Sequence, residues 1–133
     1  APYVPGDAPC PSTTYGRHKA EAEENVLRHG GLVVRMSFLP VPFEHARVFS
    51  GVLSNREWVE EAAARLLRYA RIAAHRPTSL PPTAHLVSTR ETDLADLVRG
   101  RYPDVPVIPV EEGSAQLPYR YPVDTRLSGA WEV

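Results

Sequence analysis

Proline constrains this chain more than any other residue type. Fourteen prolines occur in 133 residues, about twice the usual share. A proline inside a helix removes a hydrogen bond and clashes with the preceding turn, and inside a sheet it confines a segment to an edge. These prolines are spread along the connections, so they read as stiff loops and not as a disordered tract. The segments between them show helical and extended apolar spacing in turn.

Residues 1–12 hold Pro2, Pro5, Pro9 and Pro11 around Gly6-Asp7 and read as an extended loop with a turn. Thr13 or Thr14 can cap a helix running from Tyr15 to His29. Tyr15, Lys19, Ala22 and Val26 share one of its faces, and Glu21, Glu23 and Glu24 are expected to point to solvent. Gly30-Gly31 supplies the stop. Leu32 to Met36 reads as a short buried strand, followed by a stiff loop carrying Pro40 and Pro42. Arg47 to Leu53 predicts a second strand. Ser54-x-x-Glu57 has the form of a capping box and predicts a helix from Arg56 to Ala74, with Val59, Ala62, Ala63, Leu66, Leu67 and Ala70 as its apolar face. Ala84 to Ser88 predicts a strand. Ser88-x-x-Glu91 predicts a further capped helix through Arg99, with Leu94, Leu97 and Val98 inward and Gly100 as its stop. Val105 to Val110 is extended, and its prolines place it at an edge. The order of elements predicts an α/β fold. Ligands of open α/β sheets lie beyond the carboxyl ends of the strands, which here are Ser37-Phe38 and Ser88-Thr89.

The length suits one small domain. A net charge of −1 gives no general attraction to nucleic acid or to an anionic membrane, so neither is an expected partner. No apolar run approaches the length of a membrane span, and the first residues lack a secretory pattern. Cys10 is the one cysteine, which excludes an internal disulfide framework and suits a reducing compartment such as the cytoplasm. The five histidines show no metal-ligand spacing, and no metal is expected. Neither a GxGxxG nor a GxxxxGK[ST] cradle for phosphates occurs.

Chemistry concentrates in Thr13-Thr14-Tyr15-Gly16-Arg17-His18-Lys19. Residues four apart on a helix face lie about 5–6 Å from one another at Cβ. An ammonium at that distance favours the phenolate form of a tyrosine, and such a tyrosine can pass a proton to or from a substrate oxygen. Lys19 is the single lysine of the chain, and a planar guanidinium does not replace a compact ammonium. The same spacing also describes an exposed tyrosine beside a solvated lysine. Arg35 lies within an apolar strand and needs a partner, which is either a carboxylate or an anionic ligand at the strand end. Arg65, Arg68, Arg71 and Arg76 read as a solvated helix face.

Several of these segments resemble a known family. Pro11-x-x-x-Tyr15-Gly16-x-x-Lys19-x-x-x-Glu23 resembles the P-x-x-x-Y-G-x-x-K-x-x-x-E region of the extended short-chain dehydrogenases/reductases. Val34-Arg35-Met36-Ser37-Phe38 is similar to the Arg-Thr-Ser-aromatic strand end of their dTDP-4-dehydrorhamnose reductase group. Trp58 to Ala63, His85-Leu86-Val87-Ser88 and Tyr121 to Ser128 resemble later segments of that group, in the same order. The resemblance implies the C-terminal part of a Rossmann-type parallel sheet with a small substrate-binding region. It implies NAD or NADP as cofactor, a nucleotide-sugar as substrate, and leaves room for a homodimer. It makes Tyr15 the catalytic acid/base and Lys19 the group that supports it and holds the nicotinamide ribose, with both residues at the cofactor. Phe38 would lie near the sugar, and Arg120 or Arg126 near the nucleotide phosphates. The family's glycine-rich loop precedes the tyrosine and is not contained in residues 1–133, which are therefore expected to be a single partial domain. Such a portion is expected to expose a sheet edge, to be weakly stable and to lack turnover alone. A non-catalytic regulatory or interaction module with the same fold is the alternative expectation.

Overall fold

The computed structural model describes residues 4–11, 13–75 and 80–110. The first helix, α1, spans Thr14–Arg28. Thr13 is its N-cap, and the Thr13 Oγ1 accepts from the Gly16 amide at 3.0 Å. A Cβ on Gly16 would stand 3.0 Å from the Pro11 Cβ, so the proline loop lies directly on the first turn of the helix. At the other end Gly30 adopts a φ of +73°. The Gly30 amide donates to Leu27 at 3.0 Å and the Gly31 amide to Val26 at 2.9 Å. These are the two bonds of a Schellman stop, which needs the left-handed residue at this point.

The extended segments are β1 (Val33–Arg35), β2 (Phe38–Leu39), β3 (Val48–Ser50), β4 (Leu53–Ser54), β5 (Glu57–Trp58), β6 (Thr83–His85), β7 (Thr92–Asp93) and β8 (Val107–Pro109). Two further helices, α2 (Val59–His75) and α3 (Leu94–Arg99), lie between them. Parallel ladders join β1 to β6, β2 to β5 and β3 to β8, and an antiparallel one joins β4 to β7. The architecture is mixed α/β. The strands do not merge into the continuous parallel sheet that the sequence leads one to expect, because each ladder among the described residues has two strands. The segments are too short to recruit more neighbours. Pro40 follows β2, Pro106 precedes β8 and Pro109 ends it, and each proline removes a donor. Gly51, at a φ of +82°, divides the single strand expected over residues 47–53 into β3 and β4.

Two apolar clusters result. Tyr69, Leu80, Ala84 and Leu86 pack with Leu32, Val34, Met36, Ile72 and Ala73. Side chains alternate along a strand, so Val34 faces α2 while Arg35 faces the other way, toward Glu23 of α1. The two long helices thus flank the β1–β6 ladder from opposite faces. The second cluster joins Leu39, Val48, Val52, Trp58, Leu94, Ala95 and Val98.

Both expected capping boxes are replaced. The Ser54 Oγ accepts from the Arg56 amide two residues on, and the Ser88 Oγ from the Arg90 amide. Serine hydroxyls compete with helix formation through such local turns. α2 starts later, where the Trp58 amide donates to Glu61 at 3.1 Å. Glu57 is buried instead, held by Arg65 at 3.0 Å. α3 is capped by Asp93, whose Oδ1 accepts from Ala95 at 2.8 Å and whose Oδ2 accepts from Gly51 at 2.6 Å. One carboxylate therefore starts the helix and fastens it to the β3–β4 turn. The inward face of α2 also differs from expectation. Ala62 and Tyr69 are buried, while Ala63, Leu66, Leu67 and Ala70 are exposed.

Candidate functional site

The end of β1 fixes the position of the tyrosine–lysine pair. Arg35, the last residue of β1, donates from Nε to Glu23 Oε1 at 3.0 Å and from Nη2 to Glu23 Oε2 at 2.9 Å. The two side chains are 19% and 24% exposed. This forked geometry is the strong form of an arginine–carboxylate contact. Arg35 thus takes the structural partner of the two that its sequence context allows. Glu23, expected in solvent, is half-buried as that partner, because the apolar strand carries its arginine onto the α1 side. The turn at residues 29–32 brings the chain back, so α1 runs antiparallel to β1. With a rise of about 1.5 Å per residue, Lys19 and Tyr15 lie roughly 6 and 12 Å beyond Glu23 along the helix. That places both past the carboxyl end of β1.

Tyr15 is 72% exposed, and the Lys19 Nζ lies over its ring, 5.7 Å from the centroid. The contact is with the ring face, within cation–π range. Lys19 has no carboxylate partner among the described residues. Phe38 opens β2, the next strand after the one that Arg35 ends, and is 50% exposed. No hydrogen bond or ring contact joins Phe38 to the pair among the described residues. Arg120, Arg126 and the Tyr121–Ser128 segment lie outside the described residues.

Concave surfaces lie along the helices. A cleft of about 670 Å³ lies between the loop at residues 5–11, α1 and the β1–β6 ladder, lined by Pro5, Pro9, Ala20, Glu23, Leu27 and Arg35 among others. It opens on a different side of α1 from Tyr15 and Lys19. The second, of about 340 Å³, lies between the start of α2 and α3 and includes Arg56, Trp58, Ser88, Asp96 and Arg101. There the Arg101 guanidinium stacks 5.0 Å from the Trp58 ring centroid and pairs with Glu60 at 3.0 Å. The hydrogen bond from Arg101 holds the Glu60 carboxyl below the usual carboxylate range and raises Arg101 in turn.

Sequence reasoning singled out Tyr15, Lys19 and Phe38, expected Glu23 in solvent, gave Glu57 to a capping box and passed over Asp93. A signal for Glu23 existed: it follows Lys19 by four residues, on the helix next in sequence to a strand that contains an arginine. Asp93 was hidden by Ser88-x-x-Glu91, which offered a stronger capping pattern a few residues earlier. Among the described residues no cluster of three or more His, Cys, Asp or Glu side chains is placed to hold a metal, and no helix is long and apolar enough to cross a membrane. No family model, curated protein or solved structure matches the chain.

Proposed function

We propose that this chain is the substrate-side, C-terminal portion of an NAD- or NADP-dependent nucleotide-sugar reductase or epimerase of the extended short-chain dehydrogenase/reductase type. The observation that carries this reading is the position of Tyr15 and Lys19 past the carboxyl end of β1, held there by the Glu23–Arg35 fork. The β1–α2–β6 crossover supports it, since a parallel pair joined through a helix is the unit from which Rossmann-type sheets are built. The finer reading of the fold, one edge of such a sheet, belongs to this proposal, as does a cytoplasmic setting.

The residues present fit part of a nicotinamide site. The exposed Lys19 ammonium offers donors to a ribose, whereas the chain has no glycine-rich cradle for the pyrophosphate. When bound, the nicotinamide supplies or accepts the hydride at a sugar carbon. Tyr15 gives a proton to the oxygen on that carbon as a carbonyl becomes an alcohol, and takes it back in the reverse direction. The half-exposed ring of Phe38 offers an apolar wall to the sugar.

On this reading a glycine-rich segment precedes this one in a longer protein, and the test uses that protein. With a dTDP-4-dehydro sugar and NADPH, Tyr15→Phe is expected to lower kcat by about 10²-fold or more, the usual worth of a positioned acid/base. Unchanged turnover would favour a non-catalytic interaction module. Calorimetry on the 133-residue chain alone is expected to show no NADPH binding, and micromolar binding would sink the proposal that the cofactor cradle lies elsewhere.

A further inference from the structure

α2 carries an apolar stripe that neither the core nor the Tyr15 site uses. Val59, Ala63, Leu66, Leu67, Ala70 and Ala74 fall within about 100° of one another around the helix. Leu66 is 41% and Leu67 62% exposed, and Ala63, Ala70 and Ala74 are exposed as well. The buried side of α2, marked by Ala62 and Tyr69, lies next to this stripe and leaves it open.

The stripe has the order of a surface made to meet itself. We propose that α2 is a docking surface for a second copy of this chain, with the two helices antiparallel about a two-fold axis between Leu66 and Leu67. In that register Leu66 faces Leu67 of the second copy, Ala63 faces Ala70, and Val59 faces Ala74. Isologous contacts require this self-complementary order. Alanines on both sides let the helices approach closely while the two leucine pairs fill the centre.

The charges at the edge agree with the same register. Glu60 and Arg71 lie on one border of the stripe, and both are exposed. A two-fold axis perpendicular to the helices brings like borders together. It sets Glu60 within two residues, about 3 Å along the axis, of Arg71 in the second copy. Arg71 has no carboxylate partner among the described residues. Glu60 is already held by Arg101, so Arg71 would join an existing acid–base pair at each end of the interface. A parallel arrangement about an axis along the helices would put the Glu60–Arg71 borders of the two copies on opposite sides of the interface, so this charge pairing forms only in the antiparallel one. The inference is independent of hydride transfer.

Sedimentation velocity of the 133-residue chain as a function of concentration is the test. A dimer with Kd on the order of 10 µM is expected. Leu67→Glu should raise Kd by at least about tenfold, with an unchanged far-ultraviolet spectrum because the side chain is exposed. Glu60→Arg and Arg71→Glu should each weaken self-association, and an equimolar mixture of the two should form heterodimers in preference to either homodimer. A wild-type chain that stays monomeric up to about 200 µM, a Leu67→Glu chain that dimerises as well as wild type, or a charge-variant mixture with no heterodimer preference would overturn the proposal.

Discussion

α1 and α3 reverse the expected relation between helix length and burial. α3 has six residues and buries Leu94, Ala95 and Val98. α1 has fifteen and buries none. The short helix is a core element, closing the cluster around Val48, Val52 and Trp58. The long one is held at points: by the Thr13 cap, by the glycine stop and by the Glu23–Arg35 fork. Apolar packing therefore does not choose most of the side chains on α1. Residues there are free to answer to something outside the described chain, and that is the setting of Tyr15 and Lys19.

Substitutions can break or sharpen this contrast. The largest effect is expected from Leu94→Ala, which empties a buried position and should cost about 3 kcal/mol in urea unfolding. Val26→Ala on α1 should cost under about 0.5 kcal/mol, and comparable losses at the two sites would abolish the distinction. Next comes Asp93→Ala, which strands the Gly51 and Ala95 amides together. A loss of about 2 kcal/mol is expected, with chemical-shift changes at both residues. Arg35→Met should cost about 1 kcal/mol and should loosen α1 selectively, seen as faster amide exchange in α1 with α3 unchanged. Uniform loosening would mean that the fork supports the whole molecule.

The smallest expected effects are those of pH. Burial pushes the Tyr69 phenol above its ordinary value of 10.0. A raised folded value favours the protonated form, so that stabilisation is complete below about pH 10 and is lost as the pH rises through the folded value. Tyr69→Phe should flatten this alkaline limb in a pH series of melts. Glu60 has the opposite sign. Its value is depressed by Arg101, so its contribution is present above the unfolded value and disappears as the pH falls through the folded one. The pair is exposed, and about 1 M salt should erase that limb.

Sequence and structure agree where local chemistry decides. Thr13, Gly30 and Gly31 bracket α1 within a residue of expectation, and the segment at 32–36 supplies β1, while its partner β6 spans Thr83–His85 and overlaps only the start of the segment expected at 84–88. The adjacency of Tyr15 and Lys19 follows from a spacing of four. Agreement ends where competition between neighbours decides. Ser54 and Ser88 each form a two-residue turn in place of a cap. α2 carries apolar residues over an arc too broad to bury whole, and Tyr69 outside the expected face wins a place in the core over Leu66 and Leu67. The Glu23–Arg35 fork joins residues twelve apart on two different elements. Their periodicities mark each residue separately and say nothing of the meeting. The continuity of a sheet is set by strands coming together from distant segments, which no local pattern records.

β1 is hydrogen-bonded along one side. Val33 donates to Pro82 and Leu86 donates to Arg35, so by the two-residue period of a strand the Val34 amide points the opposite way. Among the described residues no strand pairs with that side. In heavy water the proton on Val34 should be lost well before those of its two neighbours, although its side chain packs in the core. That single amide is a clock for strand addition: it stops when another segment docks alongside β1, whichever molecule brings it.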